Sequence, residues 1–363
     1  MMRVSSCVIV LVFFVDFQIV LGLKYKFVNV IFRHGDRAPL NDDDEPFPTS
    51  PYLNSTFPPN GAGQLTNMGK KRVYDLGVYI RNQYSELLGD FYHPSVIITR
   101  STNSDRTKMS LLATMAGLFP PASEQHWNWN LNWQPVVISY PQEEDVLLHP
   151  YYCPKFVREL KLVEDSPEVQ QELSQYREMM KNLTEWSGKP IVSAKHCDGL
   201  YNGLMGLYSM GLELPPWTSG LFPHGPLLNC TTLNYRVYSW NQRMKTLNGG
   251  MLLKTFTDNM LAVATGNWTS QPRMMLMSGH EINLTSFLDA LGVYQPHVPE
   301  YASAIFVELL EDETEYYISI WYYLGIPPRK TRITVPGCAN LCPLEQFVEL
   351  YRNILPTEDD MTC

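Results

Sequence analysis

The feature that most constrains this chain is a short apolar strand that ends in a dense polar cluster. Residues 25–32 read YKFVNVIF, and residues 33–39 directly after them read RHGDRAP. This apolar pattern predicts a buried β-strand. Open α/β sheets bind their ligands at the carboxyl ends of such strands. The sequence therefore predicts an α/β fold with a binding site directly after its first strand.

The residue types in this cluster suit an anionic ligand. Arg33 and Arg37 flank His34, and guanidinium groups match the oxygens of a phosphate or a carboxylate. An imidazole held against such an anion can attack it or transfer a proton. Gly35 would let the backbone approach another segment closely or adopt a positive φ. For two arginines at this spacing alone, an ordinary surface cluster of charges is the simpler interpretation.

A second strand ends in an arginine. Residues 95–100 (SVIITR) predict a buried strand that closes at Arg100, before a polar turn and a helix. This arrangement places Arg100 at the same sheet edge as the first cluster. We interpret Ser101 and Asp105 as capping and turn residues.

A third strand, residues 273–278 (RMMLMS), ends before His280 and Glu281, and helical spacing follows. We expect it to lie beside the first two strands. His280-Glu281 begins like the zinc-binding pattern HExxH, but Leu284 stands where the second histidine is required. We therefore predict no metal, and no other cofactor.

The motifs RHGDRAP, RSTNSDRT (100–107) and Gly-His-Glu (279–281) occur in the order found in a known family. From about residue 24 to 363, the chain resembles the histidine acid phosphatases, a branch of the histidine phosphatase superfamily. The resemblance implies that His34 becomes phosphohistidine and that Glu281 protonates the leaving group. The phosphate ligands that it implies are Arg33, Arg37, Arg100 and His280. The implied fold is a mixed, mainly parallel sheet flanked by helices, of the phosphoglycerate mutase type, with an inserted helical cap.

Glu281 departs from the family pattern, which has aspartate at this position. Glutamate can act as a general acid, because its solution pKa of roughly 4.3 is close to that of aspartate, roughly 3.9. Its side chain is one methylene longer, so the proton would come from a different position. The longer side chain therefore either favours another leaving group or weakens the chemistry.

The chain divides into four predicted parts. Residues 1–22 are predicted to be a signal peptide, because Arg3 precedes the apolar run 8–15 and residues 20–22 suit a cleavage site. Residues 23–150 and 226–363 are predicted to form the α/β catalytic domain. Residues 151–225 have helical periodicity and few strand signals, which predicts the helical cap.

The composition suits an exported globular protein. Apolar residues make up 45% of the chain and charged residues 18%, and the net charge is −9. An acidic chain offers no electrostatic reason to bind nucleic acid or an anionic membrane. No later stretch reaches the roughly 20 apolar residues of a transmembrane helix. We therefore expect a secreted protein without a membrane anchor, rather than a lysosomal one.

Six cysteines follow the predicted signal peptide, and in an exported chain an even number predicts disulfides. Six cysteines allow 15 pairings. Cys338 and Cys342 can close a local bridge, and the family resemblance pairs Cys153 with Cys363. Cys197 and Cys230 remain, so we infer a third bridge between them.

Five sequons are candidate glycosylation sites: Asn54, Asn182, Asn229, Asn267 and Asn283. We doubt Asn283, because it lies close to His280 in the sequence.

The resemblance also bears on partners. We expect a small-molecule or phosphoprotein phosphomonoester as the substrate. Trp127, Trp129 and Trp133 lie in a region near the subunit contact of dimeric relatives, so core packing or a homodimer interface is expected there. Two alternatives stay open, an inositol-polyphosphate phosphatase of the same superfamily and a weakly active secreted protein that binds phosphorylated ligands.

Overall fold

The computed structural model describes residues 22–41, 44–142, 145–268 and 272–363. Residues 1–21 of the predicted signal peptide lie outside the described residues. The strands are β1 (Lys24–Arg33), β2 (Ile97–Ser101), β3 (Met274–Gly279), β4 (Ala304–Glu311), β5 (Tyr316–Leu324), β6 (Arg329–Ile333) and β7 (Cys342–Pro343). The helices are α1 (Asn67–Leu88), α2 (Asp105–Leu118), α3 (Pro154–Glu164), α4 (Pro167–Ser174), α5 (Arg177–Ser187), α6 (Ala194–Ser209), α7 (Pro226–Val237), α8 (Gln242–Leu247), α9 (Gly249–Ala264), α10 (Glu281–Ala290), α11 (Leu344–Tyr351) and α12 (Glu358–Thr362).

The strands form one mixed sheet in the order β2-β3-β1-β4-β5-β6, with β7 beside β5. β1 and β2 each pair in parallel with β3. β4 joins β1 in antiparallel fashion, and β5 and β6 continue the antiparallel half. The predicted mixed α/β sheet and its antiparallel C-terminal edge are confirmed. Parallel pairing covers a smaller part of the sheet than expected, because the antiparallel half starts directly at β1.

The three parallel strands end at the same level of the sheet. Arg33 at the end of β1 is in register with Gly279 at the end of β3, and Ser101 of β2 with Ser278 of β3. Ser101 is thus a strand residue rather than a capping residue, since the N-cap of α2 is Ser104. This common level brings the three predicted polar segments to one edge.

Both faces of the sheet are covered by helices. Phe27 and Ile31 of β1 pack into a core that includes residues of α9, α10 and α11. Val30 and Phe32 point to the other face, where α1 and α2 supply the core. Burial on both faces explains why β1 reads as a nearly continuous apolar run.

Helices α3 to α7 pack around two further cores, one of which they share with α8 and α9. Leu200 of α6 and Leu227 of α7 share one of these cores with Phe47, which lies in the loop after the first motif. The packing of α7 against α6 continues past the predicted cap boundary at residue 225, and that boundary stays a prediction. Trp127 and Trp129 are 58% and 82% exposed, which excludes core packing for them.

The disulfides of the fold join Cys153 to Cys363, Cys197 to Cys230 and Cys338 to Cys342. These are the three pairings expected from the sequence. None of the helices in the described residues combines the length and the apolar character that crossing a bilayer requires.

Candidate active site

The loop after β1 is packed directly against the two helices that follow it. A Cβ on Gly35 would lie 2.4 Å from the carbonyl oxygen of Gly69, at the start of α1. The backbone N–H of Gly35 donates to Ser110 Oγ of α2 at 3.0 Å. Asp36 accepts a hydrogen bond from Arg72 Nε at 2.7 Å. Close approach, rather than a positive φ, is therefore what requires glycine at position 35.

His34 is held as a neutral imidazole, and among the described residues its Nε2 has no hydrogen-bond partner. Its Nδ1 lies 2.8 Å from the carbonyl oxygen of Gly35. Because a carbonyl oxygen only accepts, Nδ1 carries the proton and Nε2 keeps its lone pair. Burial lowers the pKa of His34 well below its usual value, and the guanidinium groups of Arg106 and Arg33 lower it further. This is the protonation state that a nucleophile requires.

Arg33 is almost fully buried and is fixed by three groups. Its Nη1 donates to the carbonyl oxygen of Pro299 at 2.6 Å, and its Nη2 donates to Asn202 Oδ1 at 3.4 Å. Its Nε forms an ion pair with Glu281 Oε2 at 3.0 Å. Burial acts to lower the pKa of Arg33, but Glu281 and Tyr301 raise it above its usual value. Arg33 therefore keeps its positive charge inside the protein.

Arg37 is also buried and is paired with a carboxylate. Its Nη1 donates to Glu45 Oε2 at 2.8 Å, and its Nη2 contacts the other oxygen of the same carboxylate. Glu45 Oε2 also accepts the backbone N–H of Leu40 at 2.7 Å. Burial acts to lower the pKa of Arg37, and Glu45 raises it above the usual value. The loop that follows the motif thus supplies a carboxylate that holds Arg37 in place.

A third guanidinium in this site belongs to Arg106, which sequence reasoning missed. Among the residues that the structure describes, no hydrogen bond or ion pair engages its side chain, and its Nε is buried without a partner. Burial and the nearby positive charge of Arg37 lower the pKa of Arg106 to about 10. Arg106 also acts electrostatically on both His34 and His280. The DRT triplet at 105–107 was the available signal, because it puts this arginine in the first turn of α2.

Arg100 lies at the end of β2, as expected, but its side chain is paired with a carboxylate outside the first motif. Its Nη2 forms an ion pair with Asp145 Oδ1 at 2.8 Å, and the side chain is 31% exposed. Because Arg106 acts electrostatically on both His34 and His280, we interpret Arg106 rather than Arg100 as a phosphate ligand. The reason is a local contact, since the ion pair with Asp145 holds the side chain of Arg100.

His280 is the N-cap of α10 and faces His34. The two rings are 5.5 Å apart between centroids. Its Nε2 lies 3.1 Å from Thr102 Oγ1, and its backbone N–H donates to Asn283 Oδ1 at 2.8 Å. Burial lowers the pKa of His280 well below its usual value, and Arg106 contributes to the shift. His280 is therefore a neutral hydrogen-bonding group beside the nucleophile.

Glu281 is the first residue of α10 and stands beside His280. Burial acts to raise its pKa, but Arg33 and the N–H of its own backbone lower it below the usual value. The nearby charges of Arg33, Arg37 and Arg106 thus favour the ionised form of Glu281. A bound phosphate dianion would bring negative charge close to Glu281 and would raise its pKa.

The cap also contributes a carboxyl group, which sequence reasoning missed. Asp198 of α6 accepts hydrogen bonds from Asn202 Nδ2 at 2.9 Å, Asn234 Nδ2 at 3.1 Å and Tyr235 Oη at 3.2 Å. Burial and the negative charge of Glu281 raise the pKa of Asp198 to about 8. Through Asn202, this carboxyl group supports the outer side of Arg33.

The candidate glycosylation sites separate by exposure. Asn54, Asn229 and Asn267 are exposed, and Asn182 is half-buried. Asn283 is buried, with its Nδ2 donating to the carbonyl oxygen of Leu148 at 2.9 Å and its Oδ1 accepting the N–H of His280. The burial of Asn283 argues against glycosylation there, in line with the doubt raised by its position.

Relatives with known names cover nearly the whole chain. The chain is 42% identical over 341 residues to venom acid phosphatase Acph-1 of Apis mellifera, which covers 94% of this chain and 88% of the relative. It is 31% identical over 369 residues to human prostatic acid phosphatase, and that match covers 97% of this chain and 91% of the relative. It is 31% identical over 349 residues to human lysosomal acid phosphatase, and that match covers 93% of this chain and 80% of the relative.

Solved structures agree on the fold. A phytase of Hafnia alvei in complex with tartrate matches with a TM-score of 0.69 and 17% identity, over 92% of this chain and 98% of that structure. At this identity the match shows the fold alone. The sequence model of the histidine phosphatase superfamily (branch 2) matches residues 24–189. With the prostatic, lysosomal and venom relatives at 31% to 42% identity over nearly its full length, the chain belongs to the histidine phosphatase superfamily, branch 2, as an acid phosphatase.

Proposed function

We propose that this acid phosphatase hydrolyses phosphate monoesters through a phosphohistidine on His34. The observation that carries the proposal is the Nδ1 contact of His34 with the carbonyl oxygen of Gly35, because it leaves Nε2 free to attack. The guanidinium groups of Arg33, Arg37 and Arg106 supply the positive charge that a phosphoryl group requires.

In the first step, Nε2 of His34 attacks the phosphorus atom, and the bond from phosphorus to the ester oxygen breaks. The arginines and His280 bind the three other phosphoryl oxygens. Protonated Glu281 gives its proton to the leaving alkoxide, which departs as an alcohol. The enzyme then carries phosphohistidine and an ionised Glu281.

In the second step, a water molecule attacks the phosphohistidine. Glu281 accepts a proton from this water, and the bond between Nε2 and phosphorus breaks. Inorganic phosphate leaves, and His34 is neutral again. The carboxyl group thus acts as an acid in the first step and as a base in the second.

Activity is expected on the acid side of neutrality. The first step requires a protonated Glu281, whose pKa Arg33 lowers in the absence of substrate. His34 must be neutral, and its lowered pKa keeps it neutral in moderately acidic solution. The two requirements therefore overlap at acidic pH.

The test is hydrolysis of p-nitrophenyl phosphate between about pH 4 and 8 in the presence of EDTA. The wild type should be most active in acid, and His34→Ala should be inactive. His93→Ala is the matched control, because His93 is exposed and its side chain bonds only to Ser95 in the described structure. Loss of activity in the control, or activity in His34→Ala, would contradict the proposal.

A trapping experiment tests the intermediate itself. Wild-type enzyme mixed with a ³²P-labelled monoester and quenched in alkali should retain label that is stable to alkali and labile to acid, as expected for a phosphoramidate. His34→Ala should retain none. Label with the stability of a serine ester instead would show that another residue is the nucleophile.

The inositol-polyphosphate alternative is less well supported. Glu45 and Glu281 lie at or beside the site, and carboxylates do not favour a ligand with several phosphates. The comparison is kcat/KM for phytate against kcat/KM for p-nitrophenyl phosphate. A higher value for phytate would favour the alternative.

We propose secretion and a homodimer as further properties. The predicted signal peptide and the venom and prostatic relatives support secretion. Recovery of the protein from the medium of expressing cells, rather than from their lysosomes, tests secretion.

The exposed side chains of Trp127 and Trp129 support a subunit contact in the proposed homodimer. Light scattering of the wild type and of Trp129→Ser should show a dimer that the substitution weakens.

A further inference from the structure

The segment just before β4 is locked onto the catalytic loop by its backbone. Ala302 adopts a φ of 64°, a conformation that is uncommon for residues other than glycine. Its N–H donates to the carbonyl oxygen of His34 at 3.2 Å, and the carbonyl oxygen of Ser303 accepts the N–H of Arg33 at 2.9 Å. Backbone strain of this kind persists where the surrounding structure enforces it, often at functional sites. The residue that this arrangement presents to the site is Tyr301.

The ring of Tyr301 lies against two residues of the first motif. The guanidinium carbon of Arg33 is 4.3 Å from the ring centroid, which is a cation–π contact. The ring of His34 is 5.7 Å away between centroids. Tyr301 thus covers the side of Arg33 that its other partners leave open.

The hydroxyl group of Tyr301 is buried near charged side chains of both signs, which are Arg33, Arg37, Asp36 and Glu45. Tyr301 is 5% exposed, and within the described residues its hydroxyl has no hydrogen-bond partner. The groups that act on it electrostatically include Arg37 and Arg33, and it acts in turn on Arg106. A buried hydroxyl is normally hydrogen-bonded, so an unpartnered one beside an anion site indicates a ligand contact.

We propose that Tyr301 contacts the substrate directly, its hydroxyl donating a hydrogen bond to a phosphoryl oxygen while its ring positions Arg33. The inference rests on the phosphatase function proposed above. Burial raises the pKa of Tyr301 despite the nearby arginines, so the hydroxyl keeps the proton that it donates.

The test is Tyr301→Phe, which removes only the hydroxyl. A hydrogen bond to a charged group predicts a fall in kcat/KM for p-nitrophenyl phosphate of roughly 10- to 100-fold. The inhibition constant of inorganic phosphate should rise by a similar factor. The melting temperature should stay equal or rise, because an unsatisfied buried hydroxyl is removed.

The matched control is Tyr351→Phe in α11. That hydroxyl is also buried but donates to the carbonyl oxygen of Leu291 at 2.9 Å, away from the site. This variant should lose stability and keep its kinetics, the opposite of the pattern expected for Tyr301→Phe. Tyr301→Leu removes the ring as well and should lose further affinity for phosphate. An equal loss of phosphate affinity in Tyr301→Phe and Tyr301→Leu would show that the ring does not position Arg33.

Unchanged kcat/KM and unchanged phosphate inhibition in Tyr301→Phe would overturn the inference. Inactivity of the wild type would instead count against the phosphatase function. In that case, calorimetric titration with inorganic phosphate still decides about Tyr301, since weaker binding by the Phe variant supports the contact and equal binding refutes it.

Discussion

Nε of Arg33 lies 3.0 Å from Oε2 of Glu281, so a proposed phosphate ligand and the proposed proton donor are paired with each other before substrate binds. A phosphoryl group that engages Arg33 competes with Glu281 for the guanidinium. Glu281 then loses part of the interaction that keeps it ionised. Binding of substrate and protonation of the general acid are therefore coupled through one arginine.

The role of Glu281 can be tested by changing the leaving group. Glu281→Gln cannot donate a proton as an acid, so hydrolysis of an alkyl phosphate should fall by roughly 100- to 10,000-fold. Hydrolysis of p-nitrophenyl phosphate should fall much less, because nitrophenolate leaves without protonation. Glu281→Asp is the matched control and should keep the same leaving-group preference as the wild type. Equal losses for both substrates in the Gln variant would contradict the assigned role.

Arg106 and Arg100 make a matched pair for testing the phosphate site. Arg106 should be essential, and Arg106→Ala should lose roughly 100- to 1,000-fold in kcat/KM, the usual effect of removing one group that stabilises charge in the transition state. Arg100→Ala breaks a partly exposed ion pair with Asp145 and should change kcat/KM only a few-fold. The reverse order of effects would restore Arg100 as the ligand.

Asp198 should make stability depend on pH. Its pKa is about 8 in the folded protein and roughly 3.9 in the unfolded chain. The folded state thus binds the proton of Asp198 more tightly than the unfolded chain does. The free energy of unfolding therefore falls as the pH rises from about 4 to about 8. The melting temperature of the wild type minus that of Asp198→Asn should fall over this range and level off above it. Asp75→Asn, at an exposed position of α1, is the control for replacing a carboxyl group with an amide.

The two disulfides that involve the C-terminal region should differ in their effect on stability. Cys153 and Cys363 are 210 residues apart, whereas Cys338 and Cys342 are 4 residues apart. The chain-entropy estimate gives a free energy of unfolding about 5 kcal/mol lower without the first bridge and about 2 kcal/mol lower without the second. Urea unfolding of the two double serine variants measures the difference. Similar losses would show that closing the long loop is not the source of the stabilisation.

The sequence predicted those parts of the structure that depend on local patterns. The three strand ends were recognisable because each apolar run stops at a polar residue, and parallel strands carry those residues to one edge. The sequence does not specify which way a side chain turns at such an end. Arg100 and Arg106 stand in the same motif, and only the fold shows that the second enters the site.

The residues that were missed reach the site from distant elements. Asp198 comes from a cap helix and Tyr301 from the segment before β4, and neither stands in a motif next to the catalytic residues. Their chemistry becomes visible only through burial, since a carboxyl group and a hydroxyl are ordinary until water is excluded from them. Tertiary contacts of this kind have no signal in a single sequence.

The position of β1 in the middle of the sheet has a consequence for biosynthesis. β1 is the first strand to be synthesised, but its two neighbours, β3 and β4, lie in the last third of the chain. Its apolar residues must therefore stay unpaired through most of translation, and pairing across so long a separation is slow. A nascent chain that stops before β3 carries the complete RHGDRAP motif without a pocket around it. Such a product would be a client for chaperones and not an enzyme.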